Sequence, residues 1–257
     1  MVERRRPTAA RKGRSVSDLI ERDVEYSTDG VAMTGYFCAP RADRRLPGVV
    51  LLHDAFGLTA EARTAAARLA VEGRAVFAAD VWGGRRSPAD GAEIMELIGS
   101  MAADRGSWMA RVAAAHTAAG RQPELDPDRV ATLGYCVGAS AALEYLRAGG
   151  RTRGVVSIHA GLDLLAPGWE AATRDARVLV CSGSEDPMAT PAQWQALKSA
   201  LTERGIGWEL DLYGGAKHAF TDPRSDGLGM PGAAYDAYAA GRSLGSADRF
   251  LDELLAQ

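Results

Sequence analysis

The chain has 257 residues, 47% of them hydrophobic, enough to build an extensive core. Its 30 Lys and Arg against 33 Asp and Glu leave a formal charge of -3, without the basic excess of a nucleic-acid or anionic-membrane binder. No apolar run reaches the roughly 20 residues of a membrane-crossing helix, and Cys38, Cys136 and Cys181 match neither a disulfide framework nor a zinc pattern, so a cytoplasmic protein without membrane insertion is expected.

The N-terminal MVERRRPTAARKGR is basic but lacks the apolar stretch of a secretory signal. Residues 1–20 are therefore expected to form a flexible basic tail and residues 21–257 a single domain. VEYS and VAMTGYFCA, separated by Thr28-Asp29-Gly30, predict an antiparallel opening pair. GVVLLH at 48–53 reads as a buried strand, TAEARTAAARLAVEG at 59–73 as a helix ended by Gly73, and AVFAAD at 75–80 as the next strand.

From Pro88 to Gly120 the pattern is helical, but Gly91, Gly99 and Gly106 predict two pieces joined near 100–107. RVATLGY at 129–135, GVVSIHA and ARVLVCSG at 176–183 are further strands, with ASAALEYLRAG a helix between the first two. PAQWQALKSALTERG at 191–205 predicts another helix, GWELDLY at 207–213 the last strand, and DRFLDELLA an amphipathic closing helix. Alternating buried strands and crossover helices specify a mainly parallel sheet covered on both faces.

Within this series, Gly134-Tyr135-Cys136-Val137-Gly138 places a nucleophile-capable side chain at a sharp strand-to-helix turn, where glycines allow close approach and the helix N-terminus favours negative charge. On its own the pentapeptide is equally compatible with a buried structural cysteine. The partner set follows in chain order, with Asp186 after ARVLVCSG and His218 after GWELDLY, each at the carboxyl end of a strand. A thiolate at Cys136 can attack a carbonyl, His218 can move the proton, and Asp186 can fix the imidazole tautomer. Glu185 is the neighbouring alternative acid.

Taken together, GVVLLHDAFGL, AADVWGG, LGYCVGASAAL, CSGSEDP and LYGGAKHAF resemble the dienelactone hydrolase family, a branch of the α/β-hydrolases with a Cys-Asp-His triad, over most of residues 24–257. The resemblance implies the α/β-hydrolase three-layer sandwich with a mainly parallel central sheet. It assigns the nucleophile to Cys136, the acid to Asp186 and the base to His218. It further implies hydrolysis of a small or medium lactone or ester through an acyl-cysteine intermediate, with no metal or organic cofactor.

The loop after the first long buried strand should approach the elbow, which makes the backbone N–H groups of Ala55 and Val137 the oxyanion candidates. Relatives close to the dienelactone enzymes carry a glutamate that meets the resting cysteine; here that position is Asp54, one methylene shorter, with His53 beside it as a brace for the loop. The basic residue that binds substrate carboxylate in that branch is missing from the Thr221-Asp222-Pro223 segment after the histidine. Arg85 and Arg86 could attract an acidic substrate, or form solvent-facing ion pairs. Phe56, Trp82, Trp108 and His159 are candidate pocket walls, with core packing the alternative for the aromatics.

Two other functions remain open at this level: cofactor-independent acyl transfer, cyclisation or isomerisation in the same pocket, and non-catalytic binding of a small carbonyl compound. Neither a P-loop phosphate motif nor an H-E-x-x-H zinc motif occurs. The expected partner is a small-molecule ester or lactone, not nucleic acid; oligomeric state is not encoded in any visible motif.

Overall fold

Leu19–Thr28 (β1) and Val31–Pro40 (β2) pair antiparallel, with Leu19 opposite Pro40 and Thr28 opposite Val31. The two residues between them, Asp29 and Gly30, both have positive φ, 49° and 76°, as a tight hairpin with right-handed strand twist requires. The computed structural model describes residues 15–227 and 230–256, so the basic segment through residue 14 lies outside the described residues. β1 begins two residues inside the stretch read as a tail, because Leu19 and Ile20 pair with Pro40 and Ala39.

The remaining strands are Leu46–Leu52 (β3), Ala75–Ala79 (β4), Leu125–Tyr135 (β5), Gly154–Ile158 (β6), Arg177–Gly183 (β7) and Gly207–Tyr213 (β8). They form one eight-stranded sheet in the order β1-β2-β4-β3-β5-β6-β7-β8, parallel from β4 through β8. β5 starts earlier than its apolar core suggests, since Leu125 and Asp126 pair with Leu46 and Pro47 before the register shifts between Pro47 and Gly48.

Among the described residues six α-helices cover the sheet: Ala60–Val71 (α1), Gly91–Ala103 (α2), Arg105–Gly120 (α3), Val137–Arg147 (α4), Pro191–Arg204 (α5) and Ala237–Leu255 (α6). The helical stretch from 88 to 120 does break in two, at Asp104, whose carboxylate accepts the Ser107 N–H and starts α3. α6 begins well ahead of its apolar C-terminal half because Asp236 caps it, accepting the N–H groups of Tyr238 and Ala239.

Period-two alternation divides the core. Val50, Leu52 and Phe77 face α2 to α5, with Trp108, Val112, Leu143, Leu197 and Leu201 packed there. Val49, Leu51 and Val76 face α1 and α6, against Leu69, Phe250, Leu251 and Leu254. The result is a three-layer sandwich around a mainly parallel sheet, the α/β-hydrolase arrangement that the resemblance implies. No helix among the described residues is long and apolar enough to cross a membrane.

Parallel alignment brings the loops after β3, β5, β6, β7 and β8 to one edge, where crevices form beyond strand carboxyl ends. There the elbow leaves no room for side chains at its glycines. A Cβ on Gly134 would lie 2.2 Å from the Gly138 carbonyl oxygen and 2.5 Å from the Ala139 nitrogen. A Cβ on Gly138 would lie 2.3 Å from the His53 carbonyl oxygen, so α4 presses directly on the end of β3. Gly134→Ala is expected to destabilise the protein by about 3 kcal/mol in urea unfolding, because the contact is with backbone that cannot yield without moving the elbow.

Candidate active site

Cys136 stands between β5 and α4 at φ 52° and ψ -122°, a conformation costly for a residue with a Cβ. Its N–H donates to the Ile158 carbonyl at 3.1 Å and to His159 Nδ1 at 3.2 Å. The backbone is thus held in its turn from the neighbouring strand. His159 and Ala219 also have positive φ, 42° and 54°, and line the same cavity, so backbone strain gathers around the thiol.

The buried ring of His218 bridges two partners. Its Nε2 lies 3.1 Å from Cys136 Sγ and its Nδ1 lies 2.9 Å from Asp186 Oδ2. The other oxygen of Asp186 accepts the Met188 N–H at 2.8 Å, which fixes the carboxylate, whereas Glu185 is exposed. Burial works against a charge on His218, but the sulfur of Cys136 and the hydrogen bond that the ring donates to Asp186 outweigh it and raise the imidazole to about 10. A protonated ring held between a sulfur and a carboxylate can exchange a proton with the sulfur and stabilise negative charge that develops there.

A cavity of about 220 Å³ opens over the sulfur. Its apolar walls come largely from Phe56, Ala62, Ile94, Ile98, Met188 and Met230, a size and surface that suit a small ligand. His53, Asp54, Ala55 and His159 line it as well. The Val81 N–H donates to His53 Nε2 at 3.1 Å, which leaves Nδ1 to carry the proton and donate to the Asp54 carbonyl at 2.6 Å. His53 therefore ties the loop after β3 to the end of β4. Val137 buries its side chain in the core, and as the first residue of α4 it has an N–H without an intrahelical acceptor.

Four of the residues considered as pocket walls or substrate ligands lie elsewhere. Trp82 is buried, and its Nε1 donates to the Ala55 carbonyl at 3.1 Å, so it supports the loop from behind. Trp108 is enclosed in the core beneath α3. Arg85, in a turn at φ 52°, sends its guanidinium to Asp23 and to the Thr34 and Gly35 carbonyls. Arg86 pairs with Glu93 at 2.6 Å. The arginine that does line the cavity is Arg224, close behind the Thr221-Asp222-Pro223 segment; it pairs with neighbouring Asp222 and, across the fold, with Asp54 and Glu61.

Asp54 accepts the Phe56 N–H at 2.9 Å and meets Arg224 at 3.2 Å. Burial raises its carboxyl to about 6 despite both contacts. No contact between Asp54 and the sulfur forms part of the hydrogen-bond network among the described residues. A second missed contact is Thr221, which accepts the Nε2–H of His159 at 2.8 Å and so fixes that ring as neutral. Among the described residues there is no group of three or more His, Cys, Asp or Glu able to hold a metal ion.

Burial lowers His53, His116 and His159, His159 with a further contribution from nearby His218. His116 falls to about 3. The unfolded chain takes up these protons near pH 6.5 and the folded protein resists, so stability present above pH 6.5 is lost as the pH falls toward 3. Each such histidine contributes a slope of up to about 1.4 kcal/mol per pH unit. His116→Gln is expected to flatten the acid limb of the unfolding free energy between pH 6 and 4 in urea titrations; an unchanged slope would contradict a neutral buried ring.

The family model described as "Dienelactone hydrolase family" matches residues 33–255. A solved structure, m3DLH, is 34% identical, covers 93% of this chain and 99% of its own, and superposes with a TM-score of 0.87. A dienelactone hydrolase-like promiscuous phosphotriesterase, P91, from metagenomic libraries, is 33% identical over 92% of this chain and 99% of its own, with a TM-score of 0.86. A probable 2-oxo-3-(5-oxofuran-2-ylidene)propanoate lactonase from Bradyrhizobium sp is 25% identical over 223 residues, 84% of this chain and 89% of the relative. With the sheet, the crossovers and the matched residues in agreement, this chain belongs to the dienelactone hydrolase family and is a hydrolase of the α/β-hydrolase fold.

Proposed function

We propose that this hydrolase cleaves a small or medium ester or lactone through an acyl-cysteine intermediate formed on Cys136. The observation that carries this reading is the bridging ring of His218, 3.1 Å from the sulfur and 2.9 Å from the Asp186 carboxylate. Cys136 Sγ attacks the acyl carbon, and the carbonyl electrons move to oxygen. The N–H groups of Ala55 and Val137 stabilise that oxyanion, each donor being worth about 2.7–4 kcal/mol in such sites. The Cys136 N–H is already engaged by Ile158 and His159 and takes no part.

Collapse of the adduct breaks the C–O bond, and His218 gives its proton to the leaving oxygen. Water then attacks the thioester with His218 accepting its proton. The acid departs and the thiolate–imidazolium pair is restored. Phe56, Ile94 and Ile98 hold the apolar part of the substrate, and His53 and His159 position the oxyanion loop and the elbow without titrating in the reaction.

Turnover of a simple ester in water labelled with oxygen-18 tests hydrolysis against transfer, cyclisation or isomerisation. One labelled oxygen in the released acid, and none in the alcohol, is expected. A product without label would exclude water as the acceptor.

A further inference from the structure

Arg224 is the sole arginine or lysine among the described residues that line the cavity, and three carboxylates consume it. Its Nε donates to Asp222 at 2.9 Å and its Nη2 donates to Asp222 at 2.9 Å and to Asp54 at 3.2 Å. Its Nη1 faces Glu61 at 3.2 Å. The flat face of the guanidinium lies over Phe56, 4.7 Å from the ring centre. The fork that would bind a substrate carboxylate in two places is therefore already filled from within the protein.

The charge balance follows from the same contacts. Asp54, Asp222 and Glu61 face the cavity with one guanidinium among them, while His53 and His159 are neutral. The His218 ring is already held between Cys136 Sγ at 3.1 Å and Asp186 Oδ2 at 2.9 Å. A carboxylate entering next to Phe56, Ile94, Met95 and Ile98 would lose water, find no free cation and meet excess negative charge. Rejection by a built-in like charge is a recurrent way to set specificity.

We propose that this cavity selects uncharged, apolar esters or lactones and rejects those bearing a carboxylate near the scissile bond, with Glu61 and Asp222 as the specificity determinants. The proposal rests on Cys136 being the reaction centre. It replaces the acidic substrate suggested by Arg85 and Arg86, whose side chains lie elsewhere.

The test compares p-nitrophenyl pentanoate with mono-p-nitrophenyl glutarate, which differ chiefly in a terminal carboxylate. The wild-type protein is expected to favour the neutral ester in kcat/KM by on the order of 100-fold beyond the ratio for hydroxide alone. Glu61 is more than half exposed and tolerates change. Glu61→Gln, Glu61→Lys and Asp222→Asn are each expected to shift the ratio toward the anionic ester by on the order of 10-fold, largely through its KM, and salt is expected to narrow the wild-type ratio. A wild-type ratio near that of hydroxide, or one that none of the variants moves, overturns the proposal.

A second reading does not depend on turnover: the alkylation rates of Cys136 by neutral iodoacetamide and anionic iodoacetate. The iodoacetate-to-iodoacetamide ratio is expected to rise several-fold in Glu61→Lys, and an unchanged ratio again overturns the charge selection. If neither ester releases p-nitrophenolate while the alkylation ratio still shifts, hydrolysis through Cys136 fails and the charged cavity stands.

Discussion

Cys136→Ala is expected to lower kcat/KM toward an activated ester by at least about 10⁴-fold, with an unfolding free energy within about 1 kcal/mol of the wild type. The side chain is only partly buried, and the contacts that hold the elbow, to Ile158 and His159, run through the Cys136 backbone N–H, which alanine keeps. Function and folding therefore separate at this position. Cys136→Ser adds a finer distinction. A hydroxyl in place of the sulfur that lies 3.1 Å from His218 Nε2 is a far weaker nucleophile than a thiolate, so a loss of at least about 10²-fold is expected. Steady-state rates with matched urea curves check both, and an alanine variant with near wild-type turnover would remove Cys136 from the mechanism.

His218→Ala is expected to cost about 10³ to 10⁴-fold, because it removes both the partner of the thiolate and the donor to the leaving group. Asp186→Asn is expected to lose a similar amount by another route. The amide neither carries negative charge nor compels Nδ1–H to point at it, so the ring is no longer held as the acid that the second step needs. The pH response distinguishes this from a structural defect. His218 is raised from 6.5 to about 10 in the folded protein, against burial, by Cys136 and Asp186. The stability linked to its proton is complete below pH 6.5 and is lost as the pH rises through about 10. In Asp186→Asn the alkaline loss of both stability and activity is expected to begin at lower pH. An identical alkaline limb in both proteins would show that the carboxylate does not hold the imidazolium.

Much of this arrangement is legible in the chain because local chemistry and topology agree. Buried runs such as GVVLL and RVATL have to be strands, and parallel strands deliver their C-terminal loops to one edge. Gly134 and Gly138 permit the backbone approach that a thiol on a strained turn requires. Cys136, Asp186 and His218 each follow a strand directly, so little chain separates the predicted register from the side-chain position.

Arg85, Arg86, Trp82 and Trp108 show the limit of that reasoning. Trp82, Arg85 and Arg86 follow β4 and Trp108 sits on α3, but a turn with positive φ at Arg85 and the packing of α3 at Trp108 turn these side chains away from the cavity. Sequence proximity does not set side-chain direction. Conversely, Arg224 joins Asp54 from a distance of 170 residues, and Ile94 and Ile98 enter the cavity from α2, which reads as ordinary amphipathic helix. Contacts made only by tertiary packing leave no periodic trace, and the polarity of the cavity is set by such contacts.

The thiol chemistry is most directly tested by intact-protein mass after rapid acid quenching of the protein with an ester of slow-leaving acyl group, followed by peptide mapping. A shift equal to the acyl group, located on Cys136, present in the wild type and absent in Cys136→Ala, is the expected result. Steady turnover through a protein that never carries the acyl mass, or carries it on another residue, would contradict a nucleophilic sulfur at the elbow.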